Sequence, residues 1–297
     1  MLFLKFFNKL KKIYLAINSI EKVNSLGLKY IFFSENKSYQ KYNYLLIEML
    51  SKKFPGKVGY VSSDYDDFIK NLDVVNFYIG EGFLRKYFFN SVKIENFILT
   101  TTDLGNNELT KNKNVKNYIY LFHSPVSTFK QYMFSAFDNY DTVLCNGDYQ
   151  LDEIRNSENL NKKNKKNLIK SGYLYFDYLI NQINFNKKPN EILLAPSWNI
   201  NENFYFNQNF ETLISVLLDK SFKVRFRPHP EIIKRSKKIL ENYEKKFDNE
   251  NFLLDLNPEN FEALENAKCL ITDNSGIVIE YLLVLKRPIL YLNGKDK

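Results

Sequence analysis

Residues 268–285, KCLITDNSGIVIEYLLVL, predict a buried strand, a tight polar turn and a helix. The strand covers residues 269–272, and the helix begins near Ser275. The turn holds three residues of the types that cap helices, Asp273, Asn274 and Ser275, and Gly276 allows another group close to the backbone. The first N–H groups of a helix lack partners inside it, and the helix dipole favours an anion there. The stretch therefore predicts a binding site for phosphate, although an ordinary capped helix has the same pattern.

Short apolar strands alternate with helical segments along the rest of the chain, which predicts parallel βαβ units. In the first half, the predicted strands are residues 28–33, 57–62, 76–79, 96–100, 118–122 and 142–145. Residues 156–170 are rich in Asn and Lys and indicate a solvated helix or loop. Residues 182–190 contain two lysines and a proline and indicate a linker. The alternation then restarts, with strands at residues 191–195, 222–226, 252–255, 269–272 and 287–292.

We therefore expect an α/β protein with two Rossmann-like domains, residues 21–181 and 191–297, preceded by a helix over residues 1–20. The hydrophobic share of 44% and the aromatic share of 16% are high enough for two sizeable cores, which excludes a disordered chain. The last predicted strand ends close to the end of the sequence. We expect the second domain to be either a shortened or a truncated version of its type.

The net charge of +8 favours an anionic partner. The basic residues are spread through loops and helices, and no zinc-finger, basic-zipper or RNP-type pattern occurs, so we expect no nucleic-acid partner. The two cysteines, Cys145 and Cys269, lie in apolar runs, where a free thiol behaves as a small buried apolar group. They form neither a metal pattern nor a disulfide framework, which fits a reducing cytosol.

The first twenty residues have a basic amphipathic pattern. Lysines interrupt apolar residues that recur at helical spacing, namely Phe3, Phe6, Phe7, Leu10, Tyr14 and Ile17. The apolar run is too short to cross a bilayer, and no signal-peptide cleavage site follows it. Two interpretations remain open at this point. The helix either lies in the headgroup layer of a membrane or packs on the body of the protein.

The chain has only two histidines, and each follows a predicted strand. In open α/β sheets, ligands bind outside the carboxyl ends of the strands. His123 is flanked by hydroxyl residues and a proline, and its ordinary pKa suits a group that takes a proton from an attacking hydroxyl. A hydrogen-bonded loop histidine is the alternative.

His229 lies in the sequence Arg227-Pro-His-Pro230, which predicts a stiff turn. Each proline fixes its own φ and keeps the preceding residue extended, which would aim His229 and also Arg227 outward. A stiff Arg/His pair near a helix N-terminus is suited to hold a diphosphate. The alternative is a rigid loop with exposed polar groups.

Five segments then occur in order: Leu121-Phe-His-Ser-Pro125, Ser171-Gly-Tyr173 with Asp177, Ala195-Pro-Ser-Trp198, Arg227-Pro-His-Pro230, and Thr272-Asp-Asn-Ser-Gly276 with Glu280 and Lys286-Arg-Pro288. In these segments the chain resembles the CDP-glycerol glycerophosphotransferases, the teichoic-acid polymerase group. Their patterns are His-Gly-Thr-Pro, Gly-Tyr-Pro-Arg-x-Asp, Ala-Pro-Thr-Trp, Arg-Pro-His-Pro and Thr-Asp-Tyr-Ser-Ser followed by Lys-Arg-Pro. The chain departs from them at Ser124, at Pro125-Val126 and at Asn274, which bears on the acceptor more than on the donor phosphates.

The resemblance implies a GT-B architecture, in which two Rossmann-like domains face each other across a cleft. It implies that the C-terminal domain binds a CDP-linked donor and that neither a metal nor a cofactor is required. His123 would activate the acceptor hydroxyl. The donor would be bound by Arg227, His229, Asp273, Asn274, Ser275, Gly276 and Glu280. Glu280 would accept hydrogen bonds from the ribose, with a solvated carboxylate as its alternative, and Trp198 is expected in the core rather than on the wall of the cleft.

The expected function is therefore the transfer of glycerol phosphate, or a similar polyol phosphate, from a CDP-linked donor to a hydroxyl of a surface polymer. A polyol-phosphate chain or a glycan would be the acceptor. One alternative is a GT-B glycosyltransferase that uses a nucleotide sugar in surface polysaccharide synthesis. Another is a non-catalytic relative that binds a nucleotide or a polymer. We expect a cytoplasmic protein that residues 1–20 hold on the inner face of the cell membrane.

Overall fold

The computed structural model describes residues 2–106, 108–198, 208–273 and 275–292, and leaves out the side chains of residues 2–9 and 208. Asn274, which the sequence placed at the donor site, lies outside the described residues. The chain divides into two compact units, Met1–Tyr178 and Leu179–Lys297. All the strand pairs described in both units are parallel, as the alternation of strands and helices predicted.

Among the described residues of the first unit, seven strands form one sheet in the order β3-β2-β1-β4-β5-β6-β7. They are β1 (Tyr30–Ser34), β2 (Val58–Ser62), β3 (Val75–Tyr78), β4 (Ile94–Leu99), β5 (Val115–Leu121), β6 (Thr142–Cys145) and β7 (Asn167–Lys170). The helices are α1 (Leu2–Ser25), α2 (Gln40–Lys53), α3 (Phe83–Ser91), α4 (Thr128–Gln131), α5 (Asp148–Leu160) and α6 (Leu174–Gln182), and α6 continues into the second unit.

Both faces of the first sheet are buried, because helices cover each of them. Alternate residues of a strand point to opposite faces, so Tyr118 and Tyr120 of β5 join one core while Leu121 joins the other. The first core includes residues of α1, α3 and α5, and the second core includes residues of α2. Cys145 lies in the first core, where burial raises the pKa of its thiol to about 12, and its predicted apolar role is confirmed.

The described part of the second unit holds a five-stranded sheet in the order β10-β9-β8-β11-β12. Its strands are β8 (Glu191–Leu194), β9 (Lys223–Phe226), β10 (Phe252–Leu254), β11 (Ala267–Thr272) and β12 (Ile289–Tyr291). Its helices are α7 (Gln208–Asp219), α8 (Pro230–Arg235), α9 (Lys237–Lys246), α10 (Phe261–Asn266) and α11 (Ile277–Glu280). The chain continues from α11 into a π-helical turn, Tyr281–Leu285.

Helix α1 ends at Ser25, five residues later than the sequence predicted. Ala16, Ile20 and Val23 are buried, and the helix packs against β3 and α3. The predicted packing on the body of the protein is therefore confirmed for residues 16–23 of the helix. An adjoining face of the helix exposes an apolar stripe of Leu10, Tyr14 and Ile17. No helix in the described ranges is both long and apolar enough to cross a membrane.

Strand β7 was missed, because residues 156–170 were predicted to be a solvated helix or loop. The segment holds the end of α5, a short loop and then β7, which pairs with β6 at the edge of the sheet. Three of the four residues of β7 are exposed. An edge strand with solvated side chains lacks the apolar alternation that marks a strand in sequence. The division between the units falls after Tyr178, three residues before the predicted linker, and α6 runs across it.

Candidate functional site

The first sheet reverses its strand order between β1 and β4, since β2 and β3 extend one side of β1 and β4 starts the other. Ligands of open α/β sheets bind at the carboxyl ends of the strands beside such a switch point. Thr100 follows β4 directly, and His123 comes two residues after β5. The structure therefore places His123 at the edge of the sheet that the sequence predicted.

The imidazole of His123 is held by a hydrogen bond between its Nδ1 and the carbonyl oxygen of Thr100, at 2.9 Å. A carbonyl oxygen can only accept, so Nδ1 carries the hydrogen in this bond. In the neutral ring, the lone pair is then on Nε2, and no described residue makes a hydrogen bond to Nε2. The backbone carbonyl of Thr100 thus fixes the tautomer that a general base requires.

Aromatic rings surround the partly buried imidazole of His123. The ring centroid of Tyr39 lies 5.6 Å from that of His123, and the ring centroid of Tyr42 lies 5.9 Å away. Burial lowers the pKa of His123 below its ordinary value of 6.5, and the hydrogen bond to Thr100 only partly opposes this effect. His123 is therefore neutral at physiological pH and able to accept a proton.

Polar side chains fix the loop that follows His123, which we call the His123 loop (residues 123–128). The carboxylate of Glu153 accepts hydrogen bonds from the Ser127 hydroxyl and from the backbone N–H and hydroxyl of Thr128. Burial raises the pKa of Glu153, but these bonds outweigh it and lower the pKa overall. The hydroxyl of Tyr173 donates to the carbonyl oxygen of His123 at 2.9 Å. The loop therefore has little freedom to move the imidazole.

In the second unit, the sheet reverses its strand order between β8 and β11. The described residues that the sequence assigned to the donor come after β9 and after β11, and the two strands end at the same carboxyl edge of this sheet. Asp273, after β11, bonds across the switch point to the loop after β8. Its carboxylate accepts from the backbone N–H of Ser197 at 2.7 Å and from the Ser197 hydroxyl. Asp273 thus ties two loops together rather than capping its own helix.

His229 has the opposite hydrogen-bonding arrangement to His123. Its Nδ1 accepts a hydrogen bond from the backbone N–H of Glu231 at 3.2 Å, so that His229 caps α8. An accepting Nδ1 leaves the hydrogen of the neutral ring on Nε2, which makes Nε2 a donor. Phosphate oxygens accept hydrogen bonds, so a donor at Nε2 is suited to bind one.

Trp198 stacks on His229, with 6.2 Å between the ring centroids and 28° between the planes. Its side chain is 43% exposed, so the expectation that it belongs to the core is wrong. The guanidinium carbon of Arg235 lies 5.6 Å from the centroid of the Trp198 ring. The turn after β8 therefore places a large aromatic surface beside His229, the residue predicted to bind phosphate.

Arg227 does not point outward as its position between strand and prolines predicted. Its side chain is 11% exposed, and its Nη1 lies 3.1 Å from the carboxylate of Asp255. Its Nη2 donates to the carbonyl oxygen of Pro258 at 3.3 Å. The same carboxylate is 3.3 Å from Arg225. Asp255 thus holds two arginines from β9 and its following turn, and the role of Arg227 towards a donor stays a prediction.

The helix after Asp273 starts close to the predicted position but changes from an α-helix to a π-helix along its length. Gly276 is the N-cap, α11 has four residues, and the π-helical turn follows. Ser275 donates its backbone N–H to the carbonyl oxygen of Asp273 at 2.7 Å. Glu280 is 6% exposed and accepts a hydrogen bond from Asn260 at 2.9 Å, so a solvated carboxylate is the wrong description of it.

Several residues of both sites were missed by the sequence reasoning. Thr100, Tyr39, Glu153 and Asp255 carry no motif, and each contacts its partner from a distant part of the chain. One available signal was position, because Thr100 is the last residue of a predicted strand. Among the described residues, no group of three or more His, Cys, Asp and Glu is arranged to hold a metal ion.

A sequence profile described as CDP-glycerol:poly(glycerophosphate) glycerophosphotransferase matches residues 93–294. This range covers more than half of the chain. The chain belongs to this family. It is accordingly a transferase that moves glycerol phosphate from CDP-glycerol to a surface polymer. A search of curated proteins finds no significant match.

The fold is similar to that of solved proteins at low sequence identity. The wall teichoic acid polymerase TagF matches with a TM-score of 0.59 and 17% identity, over 96% of this chain and 78% of the other. A UDP-GlcNAc 2-epimerase from Methanocaldococcus jannaschii, in complex with UDP-GlcNAc and UDP, matches with a TM-score of 0.61 and 14% identity, over 89% and 83%. These likenesses confirm the predicted GT-B-like α/β fold class.

Proposed function

We propose that His123 is the general base of this transfer. The observation that carries the proposal is the 2.9 Å hydrogen bond between Nδ1 of His123 and the carbonyl oxygen of Thr100. This bond directs the basic lone pair of the ring to Nε2. Burial keeps the pKa of His123 below 6.5, so the imidazole is in its basic form at neutral pH.

In the proposed reaction, a hydroxyl oxygen of the acceptor attacks the phosphorus of CDP-glycerol that carries the glycerol. Its proton passes to Nε2 of His123, and a new P–O bond forms. The P–O bond to the bridging oxygen breaks, and CMP leaves with the bonding electrons. The products are an acceptor extended by one glycerol phosphate and CMP. No redox change occurs, so no further reactant is needed.

The edge of the second sheet would bind the CDP-linked donor. His229 presents Nε2–H, and Trp198 stacks on the same imidazole and limits its rotation. Hydrogen-bond donors that are held in place before the reaction stabilise the charge on a diphosphate, because no side chain has to be reoriented during the reaction. The roles of Arg227, Asp273, Asn274, Ser275, Gly276 and Glu280 in donor binding are part of the same proposal.

The solved structures of TagF add support for two functional histidines. They include a variant with a histidine replaced by asparagine, also soaked with CDPG, and a variant with another histidine replaced by alanine. The spacing between those two histidines is within two positions of the spacing between His123 and His229. We therefore assign the same pair of positions to base and phosphate ligand here.

We also propose that the reaction needs no metal ion and no cofactor. The protein's own cations and N–H donors at the edge of the second sheet would neutralise the donor diphosphate. The acceptor would be a polyol-phosphate polymer or a related glycan. Activity that persists in excess chelator supports metal independence, and activity that returns only with an added divalent ion contradicts it.

We propose further that α1 holds the protein on the inner face of the cell membrane. Its exposed apolar stripe of Leu10, Tyr14 and Ile17 is accompanied by the exposed Lys11. An apolar stripe with an adjacent lysine suits the boundary between acyl chains and anionic headgroups. The adjoining face of the helix stays packed on the first unit.

A thermal-shift panel tests the donor. CDP-glycerol, CDP-ribitol and CDP are compared with UDP-GlcNAc and UDP on the wild type, His123→Asn and His229→Asn. We expect cytidine compounds to raise the melting temperature of the wild type and of His123→Asn, and to lose most of this effect with His229→Asn. A shift from uridine compounds alone would favour the glycosyltransferase alternative.

A further inference from the structure

One of the rings beside His123, that of Tyr42, also contacts a lysine. The centroid of the Tyr42 ring lies 5.9 Å from that of the His123 imidazole and 4.9 Å from that of the Tyr175 ring. The ammonium nitrogen of Lys41 lies 5.2 Å from the centroid of each of the two tyrosine rings. The same side chain, Tyr42, therefore contacts both the proposed base and a cation.

The two aromatic rings position the ammonium of Lys41. The negative face of an aromatic ring attracts a cation without neutralising its charge. Ring carbons are also poor hydrogen-bond acceptors, so these contacts leave the N–H groups able to donate to an oxyanion. A lysine side chain has much rotamer freedom to lose when it binds a ligand. Because Tyr42 and Tyr175 already restrict Lys41, less of this freedom is lost on binding.

The backbone that carries Lys41 is fixed at the carboxyl edge of the first sheet. Helix α2 begins at Gln40, whose side-chain amide donates to the carboxylate of Asp67 at 2.8 Å. Asp67 is buried, and it also accepts from the hydroxyls of Tyr60 and Ser62 in β2, at 2.8 Å and 2.7 Å. The first turn of α2 is thus tied to the strand beside β1.

Lys41 and Tyr42 lie outside residues 93–294, the range that the family profile matches, whereas His123 and Tyr175 lie inside it. The lysine is therefore not part of the pattern by which the family is recognised. Such a position is suited to determine which acceptor this member of the family uses, rather than the chemistry that the members share.

The chemistry of a glycerol phosphate chain fits the spacing of these side chains. In such a chain, three carbons and one oxygen separate the terminal hydroxyl from the nearest phosphorus. That separation is close to the length of one tyrosine side chain, and the side chain of Tyr42 is the one that contacts both His123 and Lys41. With the hydroxyl at Nε2 of His123, the adjacent phosphodiester would therefore come near the ammonium. A neutral glycan offers no anion to it.

We infer that Lys41 binds the phosphodiester nearest to the attacking hydroxyl, and that it thereby selects a polyol-phosphate chain over a neutral glycan as the acceptor. The inference rests on the proposed role of His123 as the base. The ammonium donates to a non-bridging phosphate oxygen, and its contacts with Tyr42 and Tyr175 keep it in place. Lys41 takes no part in forming or breaking the P–O bonds, so its loss raises the KM of the acceptor and spares kcat.

The test measures CMP release by the full chain from CDP-glycerol, at increasing concentrations of poly(glycerophosphate). Lys41→Met removes the charge and keeps an apolar stem beside the rings. We expect its acceptor KM to rise about tenfold, with kcat and the KM of CDP-glycerol within about threefold of the wild type. Lys41→Arg keeps the charge and should keep most of the affinity for the acceptor.

Lys53→Met is the matched control. Lys53 lies on the same helix, and its ammonium is also placed beside an aromatic ring, 5.7 Å from the centroid of Phe54. The control should leave the acceptor KM unchanged. The melting temperatures of all the variants should stay close to that of the wild type.

A second measurement compares two small competitors of the polymer. Glycerophosphoglycerol has one phosphodiester, whereas diglycerol has terminal hydroxyls of the same kind and no phosphate. We expect glycerophosphoglycerol to inhibit the wild type at about tenfold lower concentration than diglycerol, and Lys41→Met to lose this preference. The preference is a ratio within one variant, so a smaller active fraction of the variant does not change it.

Three results would overturn the inference. The first is an acceptor KM of Lys41→Met equal to that of the wild type. The second is a wild type that the two competitors inhibit equally, or that neither inhibits. The third is a rise in the KM of CDP-glycerol instead, which would assign Lys41 to the donor phosphates. A wild type that releases no CMP with the polymer would contradict the proposed function itself, so the two failures are distinguishable.

Discussion

The Nδ1–H of His123 is bonded to the carbonyl oxygen of Thr100, whereas Nδ1 of His229 accepts the N–H of Glu231. The first bond makes Nε2 of His123 an acceptor. The second makes Nε2 of His229 a donor. The same residue type thus has two chemical roles, and each role is set by a backbone group at the carboxyl edge of a parallel sheet.

His123→Asn should lower kcat by about 10²- to 10⁴-fold, because the acceptor hydroxyl loses its general base. Donor affinity should stay within about threefold of the wild type, since the donor is assigned to the second unit. Rates of CMP release and the binding of CDP measure the two effects. Thr100→Ala keeps the carbonyl oxygen and is the matched control, with nearly full activity expected. Equal losses of kcat and donor affinity in His123→Asn would argue against a role as base.

The pH dependence of the reaction should follow His123. A base must be neutral, so activity falls as pH falls through the pKa of His123, which lies below 6.5 in the folded protein. Burial lowers this pKa, so the unfolded chain binds the proton more readily. Stability is then complete above pH 6.5 and decreases as pH falls below it. A log kcat profile whose acid limb lies above pH 6.5 would contradict this assignment.

The stack of Trp198 on His229 should contribute to donor affinity. Aromatic pairs contribute roughly 0.5–1.5 kcal/mol, so Trp198→Ala should weaken CDP binding by about tenfold at most and Trp198→Phe by less. Trp198 is the only tryptophan, so its fluorescence reports the site directly. CDP should change the emission of the wild type but not that of His229→Asn. Full CDP affinity in Trp198→Ala would exclude a positioning role.

The carboxylate of Asp255 should stabilise the second unit. Asp255→Asn removes the shared negative charge from Arg225 and Arg227, both mostly buried. We expect a loss of about 2–3 kcal/mol, less than for an isolated buried pair, because Glu191 and Glu262 also pair with Arg225. Urea unfolding measures it. Glu262→Gln is the control, since its 57% exposed side chain should contribute less than about 1 kcal/mol.

The local pattern of the sequence was sufficient to predict much of the fold. The alternation of short apolar strands with helices predicted two parallel sheets, and the prolines around His229 predicted a rigid turn after β9. Both features depend on residues close together in sequence. His123 and His229 could be placed at strand ends for the same reason, because the carboxyl edge of a parallel sheet follows from strand positions alone.

The contacts that give the sites their chemistry could not be predicted in this way. Arg227 turns inward and pairs with Asp255, which follows the neighbouring strand β10. Trp198 is exposed and follows Ser197, which Asp273 holds across the switch point. Such pairs join residues that are far apart in sequence, and they carry no periodic signal. The edge strand β7 was missed because its side chains are solvated.

The most direct test of the central claim is the nucleotide released from CDP-glycerol when a poly(glycerophosphate) acceptor is added to the purified full chain. We expect acceptor-dependent release of CMP, with one glycerol phosphate added to the polymer for each CMP and almost none from His123→Asn. Release of CDP with transfer of glycerol alone, or equal CMP release by His123→Asn, would contradict the account.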